Sequence, residues 1–285
     1  MSSLSTLIFG ASGKLGRALC AQFPTAIALT RADFDVSHDL AYGSVDWSTV
    51  GTVINASAYT DIDGAETETG AHEAWNTNVV GVGKLARVCE DNGITLVHIS
   101  SVYVLDGEAD GEANEETAVG PLSPYGESRA AGDALVSLVT QHLIVRTSWL
   151  IADDDDLNRT LRRMTSQAGS GDSTNIQRGR PTLTSELSKA IKHLLDSGVP
   201  WGTYNVTNSG DVVTWAELVG EIRARAEATR NRIDSTQTAN VNNLDGKDDQ
   251  LRAIRPRNVA LDLGKIRATG YEPADWRAAL HDSVR

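Results

Sequence analysis

Tyr125-Gly-Glu-Ser-Arg129 sets a phenol and a guanidinium four residues apart, a spacing that shares one face of a helix. It is the pattern of a catalytic Tyr-x-x-x-Lys motif with arginine in the last position. A phenol beside a fixed cation can act as general acid or base near neutral pH. Two solvated helix residues are the bland reading of the same pair. A second motif, Gly10-Ala-Ser-Gly13-Lys-Leu-Gly16, follows a short apolar run and opens an amphipathic one. Glycines at this spacing supply a tight turn, close backbone approach to a pyrophosphate and close helix–strand packing. The helix start then offers free N–H groups and positive dipole to phosphate. Gly10, Ser12, Gly13, Lys14, Leu15 and Gly16 are therefore candidate dinucleotide contacts, a purely structural turn being the alternative. Arg31, at the end of the second apolar run, stands where many NAD-binding domains carry an acid for the ribose 2′-hydroxyl. An arginine there favours a 2′-phosphate, so NADPH is expected, with NADH as the alternative. Asp35 and Val36 would close the adenine side.

The elements that must position these groups are legible in the hydropathy pattern. Short apolar runs alternate with amphipathic helical windows, as in a parallel α/β sheet. Strands are expected at Thr6–Phe9, Ala26–Thr30, Thr52–Asn55, Thr95–Ser100, His142–Arg146 and Gly202–Val206. Helices are expected at Lys14–Gln22, Glu73–Asn92, Tyr125–Val139 and Ser185–Asp196. The expected fold is a Rossmann-type doubly wound parallel sheet. Residues 1–147, with parts of 185–208, would form the dinucleotide-binding domain, and 148–285 a smaller C-terminal α/β substrate-binding part. The polar, apolar-poor stretch 235–252 reads as a mobile loop.

A chain of 285 residues with 40% hydrophobic and 22% charged residues fits a globular protein of one large core, or of a nucleotide domain plus a smaller one. Its 38 acidic residues outnumber 26 basic ones, of which six are lysine and 20 arginine. Dense carboxylates with little lysine suit a salty, halophilic cytoplasm, or an ordinary acidic enzyme from an arginine-rich proteome. A net charge of -12 argues against nucleic acid or an anionic membrane as partner. No apolar run approaches ~18 residues, and a cytoplasmic location is expected. Cys20 and Cys89 read as reduced thiols. No metal-ligand pattern is present, and Asp153-Asp154-Asp155-Asp156 reads as a solvated acidic loop.

Further stretches make the motifs specific. Val53-Ile-Asn-Ala-Ser-Ala-Tyr-Thr60 is followed by Asp63 and Ala65-Glu66, and Asn78 lies within Asn76-Thr-Asn-Val-Val-Gly81. Then come Ser100-Ser101-Val102-Tyr103-Val104, Arg146-Thr-Ser-Trp149, Asn158, Gln177-x-Gly179-x-Pro181-Thr182, Arg255-Pro256 and Leu261-Asp262. Together with the two motifs they resemble the dTDP-4-dehydrorhamnose reductase family of the extended short-chain dehydrogenase/reductase superfamily, from Gly10 to Asp262. The resemblance implies NADPH-dependent reduction of the 4-keto group of a dTDP-4-keto-6-deoxyhexose, dTDP-4-dehydrorhamnose to dTDP-L-rhamnose. The product would feed surface polysaccharide or protein glycosylation. It places Ala58, Tyr59 and Thr60 along the cofactor. Ser101, Val102, Trp149, Asn158, Gln177 and Arg255 fall on the substrate side, where Arg255 would pair with the diphosphate. Ser101, Tyr125 and Arg129 become the catalytic set.

Two matched positions depart from the family pattern. Val102 stands where the family carries aspartate, and Arg129 where it carries lysine. Arginine keeps the charge but is a planar fork that cannot yield a proton. The departures leave room for two other readings. One is a non-catalytic nucleotide-binding regulatory subunit. The other is an epimerase or a reductase of another sugar nucleotide. Whether a divalent ion is needed, and the oligomeric state, a homodimer included, stay open at this level.

Overall fold

The computed structural model describes residues 4–108, 111–152, 177–222, 224 and 253–283. Asn158, the Asp153–Asp156 run and the 235–252 stretch lie outside these. Six parallel strands form the main sheet: β1 (Ser5–Phe9), β2 (Ile27–Leu29), β3 (Val50–Asn55), β4 (Thr95–Ser101), β5 (His142–Thr147) and β9 (Gly202–Asn205), in the order β2-β1-β3-β4-β5-β9. The chain turns one way from β1 to β2 and then crosses to β3 on the other side. That reversal opens a crevice at the carboxyl ends of β1 and β3, where doubly wound sheets bind ligands.

Both faces of the sheet are covered, so its central strands are mostly apolar. On one side Leu7, Phe9, Val53 and Leu96 pack with Val82, Leu85 and Cys89 of α4 (Val82–Asn92) and with Val136 of α5 (Pro124–Val136). On the other, Ile8, Ile54, Val97 and Val145 pack with Leu15 and Leu19 of α1 (Lys14–Gln22) and Leu187, Ile191 and Leu194 of α6 (Thr184–Asp196). Strand β9 and helix α6 thus complete the main sheet from sequence beyond residue 148. A separate cluster of Ile151, Leu183, Val213, Leu218, Ile222, Trp276 and Leu280 lies among two short pairings, β6 (Leu150–Ile151) with β8 (Thr182–Leu183) and β7 (Arg178–Gly179) with β10 (Val213–Thr214). Cys20 and Cys89 are free thiols, and burial pushes Cys89 up to about 12. Among the described residues no helix is long and apolar enough to cross a membrane.

The helix expected over Glu73–Asn92 begins earlier and is not uniform. After the short α2 (Asp39–Tyr42), helix α3 (Glu68–Trp75) passes through a π-turn at Asn76–Gly81 into α4. One added residue per turn is a device that re-aims side chains, and here it carries Asn78.

Candidate active site

The glycine loop folds as its spacing requires. Gly10 has φ +76, and a Cβ there would come within 2.7 Å of both the Ala56 carbonyl oxygen and the Ser57 nitrogen. Only glycine fits this contact between the β1 and β3 crossovers. Gly13 is the N-cap of α1 and carries no side chain to cap it. Ser12 and Gly13 are exposed, Lys14 is half-buried, and Leu15 and Gly16 are buried beneath the turn. At the end of β2, Arg31 is 84% exposed and pairs with Asp35 at 3.2 Å, while Asp35 also accepts from Ser37. Val36 is core, packed against Gly81.

Beyond β3 the strip Ala56–Thr60 runs beside the glycine loop. Its backbone is clamped from the π-turn, where Asn78 Oδ1 accepts from Tyr59 N at 2.9 Å and Asn78 Nδ2 donates to Tyr59 O at 3.2 Å. The same Nδ2 lies 3.0 Å from Ser128 Oγ on α5. Ala58 and Tyr59 are half-buried and Thr60 is exposed.

Helix α5 starts from a Ser123 cap, whose hydroxyl accepts from Gly126 N, followed by Pro124 at the first helical position, a strong N-terminal signal. Tyr125 is therefore in the first turn, 7% exposed, its ring edge-on to Tyr103 at 5.7 Å. Its hydroxyl makes no hydrogen bond among the described residues. Ser101, half-buried at the end of β4, accepts from Tyr103 N at 3.2 Å, which leaves its hydroxyl hydrogen to donate elsewhere. The glycine at 126 lets α5 settle on the Val102–Val104 turn, so Tyr125 and Ser101 come from adjoining elements. Val102 is 1% exposed and belongs to the core; the structure does not bring it to the crevice.

Arg129 lies on the same side of α5 but faces inward, 3% exposed. Its Nη2 donates to the Ile99 carbonyl and lies 3.5 Å from His98 Nε2, and its Nη1 is 3.5 Å from Asn78 Oδ1. No hydrogen bond joins it to Tyr125. One turn further, Asp133 accepts from Ser100 Oγ, and its Oδ1 lies 3.6 Å from His98 Nε2. Burial pushes this carboxyl up to about 6, against the pull of Arg129, Ser100 and Arg146. Burial, and then Arg129, hold His98 well below its ordinary value. The folded pKa of Asp133 is raised, so its stability contribution is full below about pH 4 and is lost as pH rises through 6. The difference amounts to up to about 3 kcal/mol. Asp133→Asn should melt at or above the wild-type temperature at pH 8 and lose that advantage below pH 4, which thermal scans across pH will check.

On the opposite wall, Trp149 holds φ +41, a left-handed backbone that a bulky side chain adopts only under surrounding constraint. Its ring is edge-on to Trp215 at 5.1 Å. Gln177 is 1% exposed, donates to Pro256 O at 2.7 Å and approaches the Tyr103 hydroxyl at 3.5 Å. Arg255 grips Asp63 with bonds of 2.7 and 2.8 Å and lies 3.5 Å from the same Tyr103 hydroxyl. The structure thus brings Tyr103, Gln177 and Arg255 together, with Asp63 as partner of Arg255. Sequence reasoning missed Asn55, His98, Tyr103, Ser128 and Asp133 as parts of the site. The signals were the polar His98 within the apolar Thr95–Ser100 run and Asp133 at two helical turns from Tyr125.

The chain matches the family described as RmlD substrate binding domain across residues 4–285. It is 31% identical over 288 residues to dTDP-4-dehydrorhamnose reductase of Aggregatibacter actinomycetemcomitans, covering 96% of each chain. Its fold superimposes on a dTDP-4-dehydrorhamnose reductase from Clostridium acetobutylicum with TM-score 0.81 at 26% identity, covering 99% of this chain and 98% of the other. It likewise superimposes on the Bacillus anthracis dTDP-4-dehydrorhamnose reductase, solved in complex with NADP, with TM-score 0.78 at 24% identity and 98% of each chain covered.

Proposed function

This chain belongs to the RmlD substrate binding domain family, and on that premise we propose that it reduces the 4-keto group of a dTDP-4-keto-6-deoxyhexose with NADPH. The observation that carries this reading is the conjunction at the crevice. A glycine turn that admits no Cβ lies beside the Asn78-clamped strip, and the Tyr125 phenol and Ser101 hydroxyl come from elements that meet at the end of β4.

Gly10, Gly13 and the start of α1 would receive the pyrophosphate, with Ser12 and Lys14 beside it and the Leu15–Gly16 packing beneath. Ala58, Tyr59 and Thr60 would follow the cofactor toward Tyr125. When bound, the nicotinamide supplies the hydride that passes to C4 of the sugar. Ser101 would donate a hydrogen bond to the keto oxygen, favouring charge where it develops. Tyr125 would hand its proton to that oxygen and regain one from solvent, leaving the alcohol. Arg129 would contribute positive charge from beneath the helix. Contact with the ribose would require its fork to leave the Ile99 carbonyl. Trp149, Gln177 and Arg255 would line the sugar-nucleotide side, Asn158 belonging to the same set by resemblance. The reaction would run in the cytoplasm, and its deoxyhexose product would feed surface polysaccharide or protein glycosylation.

The test is to mix purified protein with NADPH and dTDP-4-dehydrorhamnose at high salt and to follow both NADPH oxidation and the sugar product. Coupled consumption and dTDP-rhamnose formation are expected. NADPH binding without turnover would overturn the substrate assignment and favour another sugar nucleotide or a regulatory subunit. Copurifying cofactor that is never consumed would point to an epimerase.

Cofactor choice has its own test. Arg31→Ala should raise the Kd for NADPH by about tenfold, the worth of one charged hydrogen bond, while leaving that for NADH within about twofold. Equal losses for both cofactors would remove the 2′-phosphate contact from the reading.

A further inference from the structure

Among the described residues Trp149 alone, glycines aside, has a positive φ, at +41. A bulky side chain keeps such a backbone only where its surroundings over-determine it. The chain leaves β5 at Thr147 and enters β6 at Leu150, so Ser148 and Trp149 make the step from the main sheet to a smaller one. The Trp149 ring packs at once against the cluster that holds Tyr103 and Tyr125 and against that of Ile151, Leu183 and Trp276. Its indole nitrogen, like that of Trp215, is sealed from solvent with no acceptor among the described residues. The ring is therefore placed by packing and by its backbone, not by a hydrogen bond of its own.

That backbone is held by one residue across the step. Thr182, buried at the start of β8, meets three successive residues of it. Thr182 N donates to Trp149 O at 3.1 Å, and Thr182 Oγ1 donates to Ser148 O at 2.7 Å. A carbonyl oxygen only accepts, so the hydroxyl hydrogen of Thr182 is committed there. Thr147 Oγ1, 2.9 Å away, must then be the donor to Thr182 Oγ1. Ser148 Oγ completes the set by donating to Arg180 O at 3.0 Å. Thr147 and Ser148 are buried as well, so a lost bond leaves a buried polar group unsatisfied. The β6–β8 ladder opens on the pair Leu150 and Thr182, so one residue fixes both the turn and the strand that follows it.

We propose that Thr182 is a positioning residue: its hydroxyl, bonded to Thr147 and Ser148, holds the left-handed turn at Trp149 and so keeps that ring on the substrate side of the crevice. The proposal rests on the reading of Trp149 as a sugar-nucleotide contact given above. Without the hydroxyl, Ser148 O and Thr147 Oγ1 lose a buried partner. The backbone at Trp149 then relaxes toward ordinary φ, and the indole shifts against Trp215. Cofactor binding should be untouched, because the glycine loop and the Asn78-clamped strip follow β1 and β3, three and two strands from β5.

The experiment compares the wild type, Thr182→Val and Thr182→Ser, each also combined with Trp149→Ala. Steady-state rates with NADPH and the dTDP-keto sugar, NADPH titration, melting temperature and circular dichroism are read on each. Valine keeps the shape and the backbone bond at 182, so that variant should fold. Thr147→Val, which removes only the outer donor, is the milder substitute and should lower kcat/KM about threefold. In Thr182→Val, kcat/KM should fall about tenfold, mainly through KM, with the Kd for NADPH within about twofold. Serine gives up the methyl, and with it some melting temperature, yet keeps the hydroxyl and should restore kcat/KM. In the Trp149→Ala background valine should cost less than about twofold further. The two edge-on indoles, 5.1 Å apart, also give a coupled dichroism signal, isolated by difference from Trp149→Ala, which valine should diminish and serine retain. Wild-type kcat/KM in the valine variant, its full loss without Trp149, a serine variant no better than valine, or an unchanged indole signal would each overturn the proposal. A wild type that binds NADPH without turning over the dTDP-sugar would defeat only the substrate assignment, and the indole signal would still decide the role of Thr182.

Discussion

Replacing Tyr125 by phenylalanine should lower kcat/KM for the keto sugar by about 10²- to 10⁴-fold, the usual worth of a positioned general acid. It should do so without unfolding the protein or releasing the cofactor. The reason is structural economy at this residue. The ring is packed edge-on to Tyr103 at 5.7 Å, and phenylalanine keeps that contact. The hydroxyl has no partner among the described residues whose loss would leave a buried group unsatisfied. Stability should therefore move by no more than about 0.5 kcal/mol, and NADPH affinity by less than about twofold. Steady-state rates, thermal melting and cofactor titration on one preparation separate these quantities. A rate within about threefold of wild type would exclude Tyr125 as the acid and leave the Ser101 hydroxyl or solvent as the proton source.

Gly10→Ala should abolish cofactor binding within the measurable range. Two effects add at this position. Alanine is disfavoured at φ +76, by roughly 1–2 kcal/mol, and its methyl would sit 2.7 Å from the Ala56 carbonyl oxygen and the Ser57 nitrogen. Neither neighbour is a flexible side chain that could swing aside. Relief must come from moving the Ala56–Thr60 strip away from the glycine turn, and that gap is where the pyrophosphate would bind. The expected readout is a loss of at least about 100-fold in NADPH affinity, with destabilisation of about 2–4 kcal/mol from strain and overpacking together. Isothermal titration and chemical denaturation test both. Retained affinity would mean that the pyrophosphate does not approach the backbone at Gly10.

The comparison of these two sites with the network behind them shows where sequence legibility ends. Gly10, Gly13 and Gly16 announce themselves because their function is local: φ, helix start and strand contact are properties of one short segment. The Ser123-Pro124 start of α5 is equally local, so the register of Tyr125 and Arg129 follows from spacing. The succession of strands and helices also follows from alternating apolar runs and amphipathic windows, with boundaries mostly within two residues. Periodicity could not show the π-turn at Asn76–Gly81, because an extra residue in a helical turn leaves the apolar count almost unchanged.

Direction and partnership were decided only by the tertiary structure. Equal spacing set Tyr125 and Arg129 on one face, yet the longer guanidinium turns inward to the Ile99 carbonyl and the phenol stays against Tyr103. Val102 was expected at the substrate and is core, because its turn packs under α5 and α5 leaves no room for it to face outward. Arg255 was expected at a diphosphate and already holds Asp63, nearly two hundred residues earlier in the chain. The group Asn55, His98, Asp133 and Arg146 is drawn from three strands and a helix, 91 residues from first to last by their numbers. Each member alone reads as an ordinary polar residue. Only the parallel pairing of β3, β4 and β5, with α5 laid across them, brings these polar side chains together. The chain's local chemistry determined what kind of site this is, and long-range packing determined which polar groups lie beneath it.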